Sequence, residues 1–165
     1  MPFAVTHVIV AIIIINFFRK RILGKENFPL YLVLIGGIAG LIPDLDYIAY
    51  WIVTLFTSLD ASAIHGSFTH NLLIPAIFLV FGVLLWKWDK VADVFLVISA
   101  GYTIHVLLDA IFSTKPLFYP FSSQGLGLAL IPNNYLLGFY MSLDAIVFVL
   151  WLIYEWKYKK IKDYS

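Results

Sequence analysis

Residues 36–47 have the sequence GGIAGLIPDLDY, in which small and apolar residues are followed by a proline and two aspartates. Gly36 and Gly40 are four apart, and such a pair of small residues lets two membrane helices approach closely. Pro43 disfavours helical backbone at the preceding residue, so we predict that a helix ends or bends at Ile42. The stretch therefore predicts a closely packed helix that is followed by a break.

Two aspartates, Asp44 and Asp46, come directly after this break in an otherwise apolar stretch. Acidic residues favour the start of a helix, because they cap its free amide groups and oppose its dipole. One explanation for the pair is therefore local. Two acids exceed what one cap needs, and the alternative is that at least one of them binds a metal ion or acts as a general base.

The composition indicates an integral membrane protein that forms a single domain over residues 1–165. Of the 165 residues, 62% are hydrophobic and 13% are charged, whereas soluble domains carry about 25% charged residues. The net charge of +1 gives no reason to expect a nucleic acid partner. The chain has no cysteine, which excludes disulfides and thiolate metal ligands.

Five apolar runs are candidates for membrane-spanning helices, which need about 20 residues. They are Phe3–Phe18, Phe28–Ile42, Asn71–Trp88, Val91–Phe112 and Tyr135–Trp156. A further run, Tyr47–Leu59, is too short to cross the membrane at about 1.5 Å per residue. We therefore predict an all-α bundle of about five transmembrane helices with one short re-entrant or interfacial helix.

The basic residues predict how the bundle is oriented, because Lys and Arg concentrate in cytoplasmic loops. With five spans and the amino terminus outside, every Lys and Arg except Lys115 falls on the cytoplasmic side, as does the carboxy terminus. The same arrangement places the histidines and three aspartates at one depth on the outer side of the cell membrane. These residues are His7, His65, His70, His105, Asp44, Asp46 and Asp109.

His105 and Asp109 lie four apart in GYTIHVLLDA, residues 101–110, and so share one face of a helix. Gly101, one turn earlier, leaves room beside the imidazole ring. An ionisable pair inside a membrane span is unfavourable and usually has a function. The pair can bind a metal ion, or it can be a hydrogen-bonded pair that joins two helices.

His65 and His70 lie five apart in the sequence HGSFTH. This spacing places them on different faces of a helix, whereas Gly66 and Ser67 favour a turn. A turn would let both imidazole rings point to one centre. The alternative is that they are two surface histidines in an outer loop.

His7 and Asp144 are isolated polar residues in apolar runs. A lone histidine near a helix end is usually interfacial. Asp144 could be a metal ligand, a partner that orients a histidine, or the cap of a helix that starts near Ser142. The joint placement of all four histidines beside aspartates at one depth nevertheless favours a shared metal centre. Without cysteine, such a cluster suits zinc, manganese or iron(II), and zinc is the default for hydrolysis.

The chain resembles the membrane-bound metal-dependent hydrolases, the LexA-regulated inner-membrane predicted hydrolases of prokaryotes. The similarity lies in five short motifs: TH at 6–7, PDLD at 43–46, HGSFTH at 65–70, HVLLD at 105–109 and PLFYPF at 116–121. The resemblance implies that the metal-binding positions are His7, Asp44, Asp46, His65, His70, His105 and Asp109. The chain is also similar, more distantly, to the helical zinc-dependent phospholipase C type.

One departure from the family pattern concerns its third motif, which usually reads H-R-G-x-T-H. Here Gly66 stands at the arginine position and Ser67 at the glycine position, whereas Thr69 is kept. If the arginine of the family holds an anionic substrate, this chain must hold it in another way.

The predicted function is a membrane-embedded hydrolase that uses a metal-activated water, with zinc as cofactor and manganese or iron as alternatives. A site at the outer membrane–water boundary suits a phosphoester of a lipid or lipid-linked substrate in the bilayer. Asp44 or Asp46 is the predicted general base, and Lys115 is the predicted phosphate contact. The alternatives are a non-catalytic membrane protein with a structural metal site and a metal or proton transporter. Transport is disfavoured because the inner halves of the predicted spans are almost wholly apolar.

Overall fold

A computed structural model describes residues 3–23, 28–58, 68–130 and 136–158, and within these ranges the chain is helical and contains no β-strand. The α-helices of the described part are α1 Ala4–Phe18, α2 Leu30–Ala39, α3 Asp46–Thr54, α4 Leu73–Leu84, α5 Asp89–Phe112 and α6 Leu136–Tyr158. A π-helical turn, Arg19–Leu23, continues α1, and a 3-10 turn, Pro43–Leu45, precedes α3. The predicted all-α class is confirmed.

Helix α5 is the centre of the bundle and packs against α1, α2 and α4. Helix α6 lies against α1. The hydrophobic core forms where α1, α2 and α5 meet, and its buried residues are Ile12, Ile15, Phe28, Leu32, Val33 and Val97. The end of α5 is closed by Ser113, whose backbone amide and hydroxyl both donate to the carbonyl of Asp109.

Helices α2 and α5 approach each other through glycines, as the spacing of Gly36 and Gly40 predicts. A side chain at Gly101 on α5 would overlap the carbonyl group of Gly36 on α2. A Cβ atom at Gly36 would in turn lie 3.2 Å from the carbonyl oxygen of Val97. The two backbones are therefore too close for any larger residue at Gly101.

The chain breaks at Pro43, as predicted, although α2 already ends at Ala39. The 3-10 turn leads into α3, and the axes of the helical segments on either side of the break differ by 43°. The predicted helix Tyr47–Leu59 corresponds to α3, Asp46–Thr54, and the last residue of that prediction lies outside the described residues. The bent pair is either one broken span or a re-entrant loop.

The prediction of five spans is not supported by the described helices. Two of these helices are long and apolar enough to cross a membrane, Asp89–Phe112 and Gly138–Lys157, and the bent pair of α2 and α3 would be a third. Helix α1 has 15 residues and α4 has 12, so they reach about 22 and 18 Å, short of a hydrocarbon core of about 30 Å. The predicted helix Asn71–Trp88 is longer than α4, because the apolar residues continue into the turns at both ends of α4.

The glycine contact predicts the effect of Gly101→Ala. The added methyl group has no space beside Gly36, so we expect the variant to lose about 3 kcal/mol or more of stability. Gly138→Ala is the matched control, because no atom lies within 4 Å of a Cβ atom there, and alanine is the better helix former. Thermal unfolding in detergent should give a much lower midpoint for Gly101→Ala and an unchanged or higher one for Gly138→Ala. Equal midpoints would contradict the close helix contact.

Candidate metal centre

Six of the seven predicted ligand residues meet at one end of the bundle, and His65 lies outside the described residues. They are contributed by α1 (His7), the α2–α3 break (Asp44 and Asp46), the turn before α4 (His70) and α5 (His105 and Asp109). All six are buried except Asp44, whose side chain is 24% exposed. The structure therefore brings these side chains together, whereas what they bind stays a prediction.

Four side-chain atoms of this group face one another. His70 Nε2 lies 3.2 Å from Asp109 Oδ2 and 3.3 Å from His105 Nε2. It lies 3.5 Å from Asp44 Oδ1. His105 Nε2 is 3.6 Å from each of these two carboxylate oxygens. Four ligand atoms around a tetrahedral zinc ion, at bond lengths of about 2.0–2.1 Å, are about 3.4 Å apart. We call the four side-chain atoms of this group the donor cluster. Either carboxylate oxygen forms, with His70 Nε2 and His105 Nε2, a set of three donors at about this spacing, so the cluster could hold one divalent ion after small adjustments.

His7 extends the donor cluster on one side. Its Nε2 lies 3.4 Å from Asp109 Oδ1, and its ring stacks on the ring of His105 with 3.9 Å between the centroids. Asp109 thus presents one oxygen to His7 and the other to His70 and His105. One ion with an additional donor fits this arrangement, and so does a pair of ions, which lie about 3.5–4 Å apart in two-metal sites.

The carboxylates of the donor cluster test whether it suits a cation. Asp44 Oδ1 and both oxygens of Asp109 are buried, and no described residue gives them a hydrogen bond of acceptable geometry. Their near neighbours are imidazole nitrogens and the ammonium group of Lys115, which is 3.6 Å from Asp109 Oδ2. Buried carboxylates are normally paired or bound to a metal ion. The residues present therefore fit a divalent metal.

The backbone of α2 fixes the orientation of His105. Its Nδ1 lies 2.6 Å from the carbonyl oxygen of Gly40. A carbonyl oxygen can only accept, so Nδ1 carries the proton and Nε2 keeps its lone pair toward the donor cluster. Metal-binding histidines commonly donate their other nitrogen to such a partner.

Asp46 lies behind His70 and not among the donor atoms. Its Oδ2 accepts a hydrogen bond of 2.7 Å from Thr69 Oγ1 and lies 3.7 Å from His70 Nδ1. Thr69 Oγ1 is itself 2.9 Å from His70 Nδ1, and Tyr102 donates its hydroxyl to the carbonyl of Thr69 at 2.6 Å. Asp46 was predicted as a ligand and general base. The structure places it behind His70 and bonded to Thr69, so its role stays a prediction, and Thr69 and Tyr102 are neighbours that the sequence analysis did not identify.

Lys115 is buried next to the donor cluster, with 6% of its surface exposed. Its backbone pairs with that of Leu126, so the segment after α5 folds back on itself. Burial lowers the pKa of Lys115, and the charges of Asp109 and Asp44 offset part of this effect. Burial would also lower the pKa of His70, but the adjacent carboxylates of Asp109 and Asp44 raise it above its ordinary value. Basic groups and carboxylates are thus strongly coupled at this end of the bundle.

Asp144, whose role the sequence left open, caps the start of α1 from helix α6. Its Oδ1 accepts a hydrogen bond of 2.8 Å from the backbone amide of Thr6, in the first turn of α1. The amide groups at the start of a helix lack partners within the helix, so this bond satisfies one of them. His7 follows Thr6 directly, and the bond therefore also holds His7 in place.

This hydrogen bond predicts that Asp144→Ala lowers the free energy of unfolding by about 1 kcal/mol, the usual effect of removing a helix cap. Asp144→Asn keeps an oxygen that can accept the same bond, so it should retain most of the stability. Ser142→Ala is a further control on α6, because the Ser142 hydroxyl donates within the helix to Gly138. Thermal unfolding in detergent measures all three. An Asp144→Ala protein as stable as the wild type would refute the cap.

Comparison with known proteins identifies a family. A family model described as YdjM inner membrane protein matches residues 1–161. This match agrees with the predicted resemblance as far as a LexA-regulated membrane protein family, but it does not include a hydrolase activity. No curated protein and no solved structure is significantly similar to the chain.

Proposed function

Because the chain belongs to the YdjM family of inner membrane proteins, we propose that it is a metal-dependent hydrolase embedded in the cell membrane. We propose that its substrate is a phosphoester of a lipid or a lipid-linked molecule. The donor cluster carries this proposal, because its two imidazole nitrogens lie 3.3 Å apart and each lies 3.2–3.6 Å from both carboxylate oxygens, although the residues come from three parts of the fold.

The proposed cofactor is zinc, held by His70, His105 and Asp109, with Asp44 beside it. Manganese and iron(II) accept the same nitrogen and oxygen ligands and are the alternatives. A bound divalent ion supplies an activated water and polarises the phosphoester. The role of the protein is to hold the donor atoms at this spacing and to keep both histidines in the required tautomer. Gly40 does so for His105, and Thr69 and Asp46 do so for His70.

Asp44 is the proposed general base. It is the most exposed member of the donor cluster, so a substrate and a water molecule can approach it. A general base must lie within hydrogen-bond reach of the proton that it removes. Asp46, the other predicted base, is buried and bonded to Thr69, so a supporting role suits it better.

The surroundings of the donor cluster favour a lipid substrate. Lys115 provides a buried positive charge beside Asp109 that can attract a phosphate group. In the segment that follows, Phe118 is 54% exposed, Phe121 is 84% exposed and Leu128 is 68% exposed. Large apolar side chains that remain exposed near a membrane protein's end suit the head-group region of the bilayer. A lipid phosphoester would lie at this depth.

A partly exposed carboxylate also favours catalysis over a structural metal site. Structural zinc sites are closed by four protein ligands, whereas catalytic sites keep a position open. If Asp44 acts as the base and not as a ligand, His70, His105 and Asp109 supply three protein ligands and leave a fourth position open to water.

The proposal predicts different effects for two variants of the purified chain. We expect His105→Ala to lose most of its bound metal, because it removes one of the three proposed ligands. We expect Asp44→Asn to keep metal, since the proposed base is not one of the three ligands, while hydrolysis falls about 100-fold or more through loss of the base. Metal content by mass spectrometry and phosphate release from phospholipids and lipid-linked phosphates measure the two effects. Thermal unfolding confirms that each variant is folded.

Two results would count against the proposal. The first is a His105→Ala protein that binds as much zinc as the wild type. The second is a folded, metal-loaded wild type that releases no product from any lipid phosphoester. Metal binding with no hydrolysis and a large loss of stability on metal removal would instead support the structural role.

We also propose that the amino terminus and the donor cluster face outward and that the carboxy terminus is cytoplasmic, as the distribution of basic residues suggests. The cysteine-free chain allows a direct test. Phe118→Cys, near the donor cluster, should react with a membrane-impermeant maleimide in intact spheroplasts. Lys87→Cys, between α4 and α5, should react only after the membrane is permeabilised. The reverse pattern would place the donor cluster on the cytoplasmic side.

A further inference from the structure

A groove of about 630 Å³ lies between α1 and α6, apart from the donor cluster. Most of its lining is apolar and includes Ile13 and Phe17 of α1 and Val147 and Trp151 of α6. Ile13 and Phe17 are more than half exposed, so the groove opens to the surface of the bundle. Its volume is within the range of about 300–1,000 Å³ that is usual for ligand pockets.

The groove extends from the middle of α1 to the end opposite the donor cluster. It begins at Val10, one turn after His7, and reaches Arg21. These eleven residue steps correspond to about 16 Å along the helix. The groove therefore does not belong to the candidate metal centre, which lies at the start of α1.

Polar groups are confined to one end of the groove. Asn16, Lys20 and Arg21 contribute from α1 and its continuation, and Tyr154 and Glu155 contribute from α6. Glu155 is 3% exposed and lies within a candidate membrane span. Ionisable residues at such positions are rare and usually mark a functional site. Among the described residues that line this end of the groove, two basic residues against one carboxylate leave an excess of one positive charge.

We propose that this groove binds one anionic phospholipid from the leaflet that adjoins Arg21. The acyl chain would lie along the apolar side chains toward Val10, and the phosphate would lie at Lys20 and Arg21. Basic pockets between membrane helices are known to recognise anionic head groups. The charge excess and the apolar lining therefore match the two halves of such a molecule.

A second copy of the chain is a less suitable occupant. In a symmetric dimer the same surface of both copies would meet. With both copies in the same orientation in the membrane, Lys20 and Arg21 of one copy would lie at the depth of Lys20 and Arg21 of the other. Like charges at the contact would oppose this association, whereas an anionic lipid would neutralise them.

Native mass spectrometry of the full chain in detergent tests the proposal, with phosphatidylglycerol as the anionic probe and phosphatidylcholine as the neutral one. We expect one phosphatidylglycerol per chain in preference to phosphatidylcholine. The double variant Lys20→Gln, Arg21→Gln should bind phosphatidylglycerol about 10- to 30-fold more weakly. Val147→Trp, which fills the apolar part of the groove, should reduce the binding of both lipids.

The matched control is Lys87→Gln, Lys90→Gln, which removes the same charge at the same end of the bundle but outside the groove. Both of its residues are exposed and lie at or near the start of α5, which runs antiparallel to α1. The control should bind phosphatidylglycerol as the wild type does. Equal losses in the two double variants, equal binding of the two lipids, or a dimer that Val147→Trp dissociates would each overturn the proposal. Metal content should be unchanged in all three variants, so this test is independent of the proposed hydrolase activity.

Discussion

The approach of α2 to α5 at their glycines is the contact on which the candidate site depends. At Gly101 there is no space for a side chain, because the carbonyl group of Gly36 lies against this position. One turn further along both helices, the carbonyl oxygen of Gly40 accepts a hydrogen bond from His105 Nδ1. A larger residue at the contact would separate the backbones, and the carbonyl would no longer reach the imidazole. The same contact places the break after α2, with Asp44, next to the histidine of α5.

Burial of several charges at one point constrains what can occupy this end of the bundle. Asp44, Asp46 and Asp109 contribute three negative charges, and Lys115 contributes one positive charge. With neutral imidazoles, two negative charges remain, which is the charge that one divalent ion would balance. Unpaired ions are costly in a medium of low dielectric constant, because little solvent is present to screen them. A metal ion would therefore be expected to stabilise the fold as well as to supply chemistry.

The sequence predicted which distant side chains lie together, but it did not predict the individual contacts of each one. The histidines and aspartates lie near helix ends, so their depth follows from the order of the apolar runs. The different contacts of Asp44 and Asp46 do not follow from it, because they depend on how the 3-10 turn rotates and on Thr69 from another part of the chain. The described helices do not support five spans for a related reason. Apolar composition does not show where a helix ends, and α4 ends while the apolar run continues.

The sequence alone could not identify the partner of Asp144, because the backbone amide of Thr6 is 138 residues away. The position of Asp144 is explained by the face of α6 on which it lies. Tyr140, Asp144, Val147, Trp151 and Glu155 follow one another at intervals of three or four residues and so share one face of the helix. Asp144 meets the start of α1, and Glu155 lines the groove near its end.

The contact of Asp144 fixes how α6 sits along α1. A shift of α6 by one turn would separate Asp144 from the amide of Thr6 and leave a carboxylate without its partner in an apolar environment. Apolar contacts alone would resist such a shift weakly, because one aliphatic side chain can replace another. The hydrogen bond at Thr6 therefore sets the register of the two helices, and with it the position of His7 beside Asp109. The groove begins beyond this contact along both helices, where their apolar side chains do not meet closely enough to fill it.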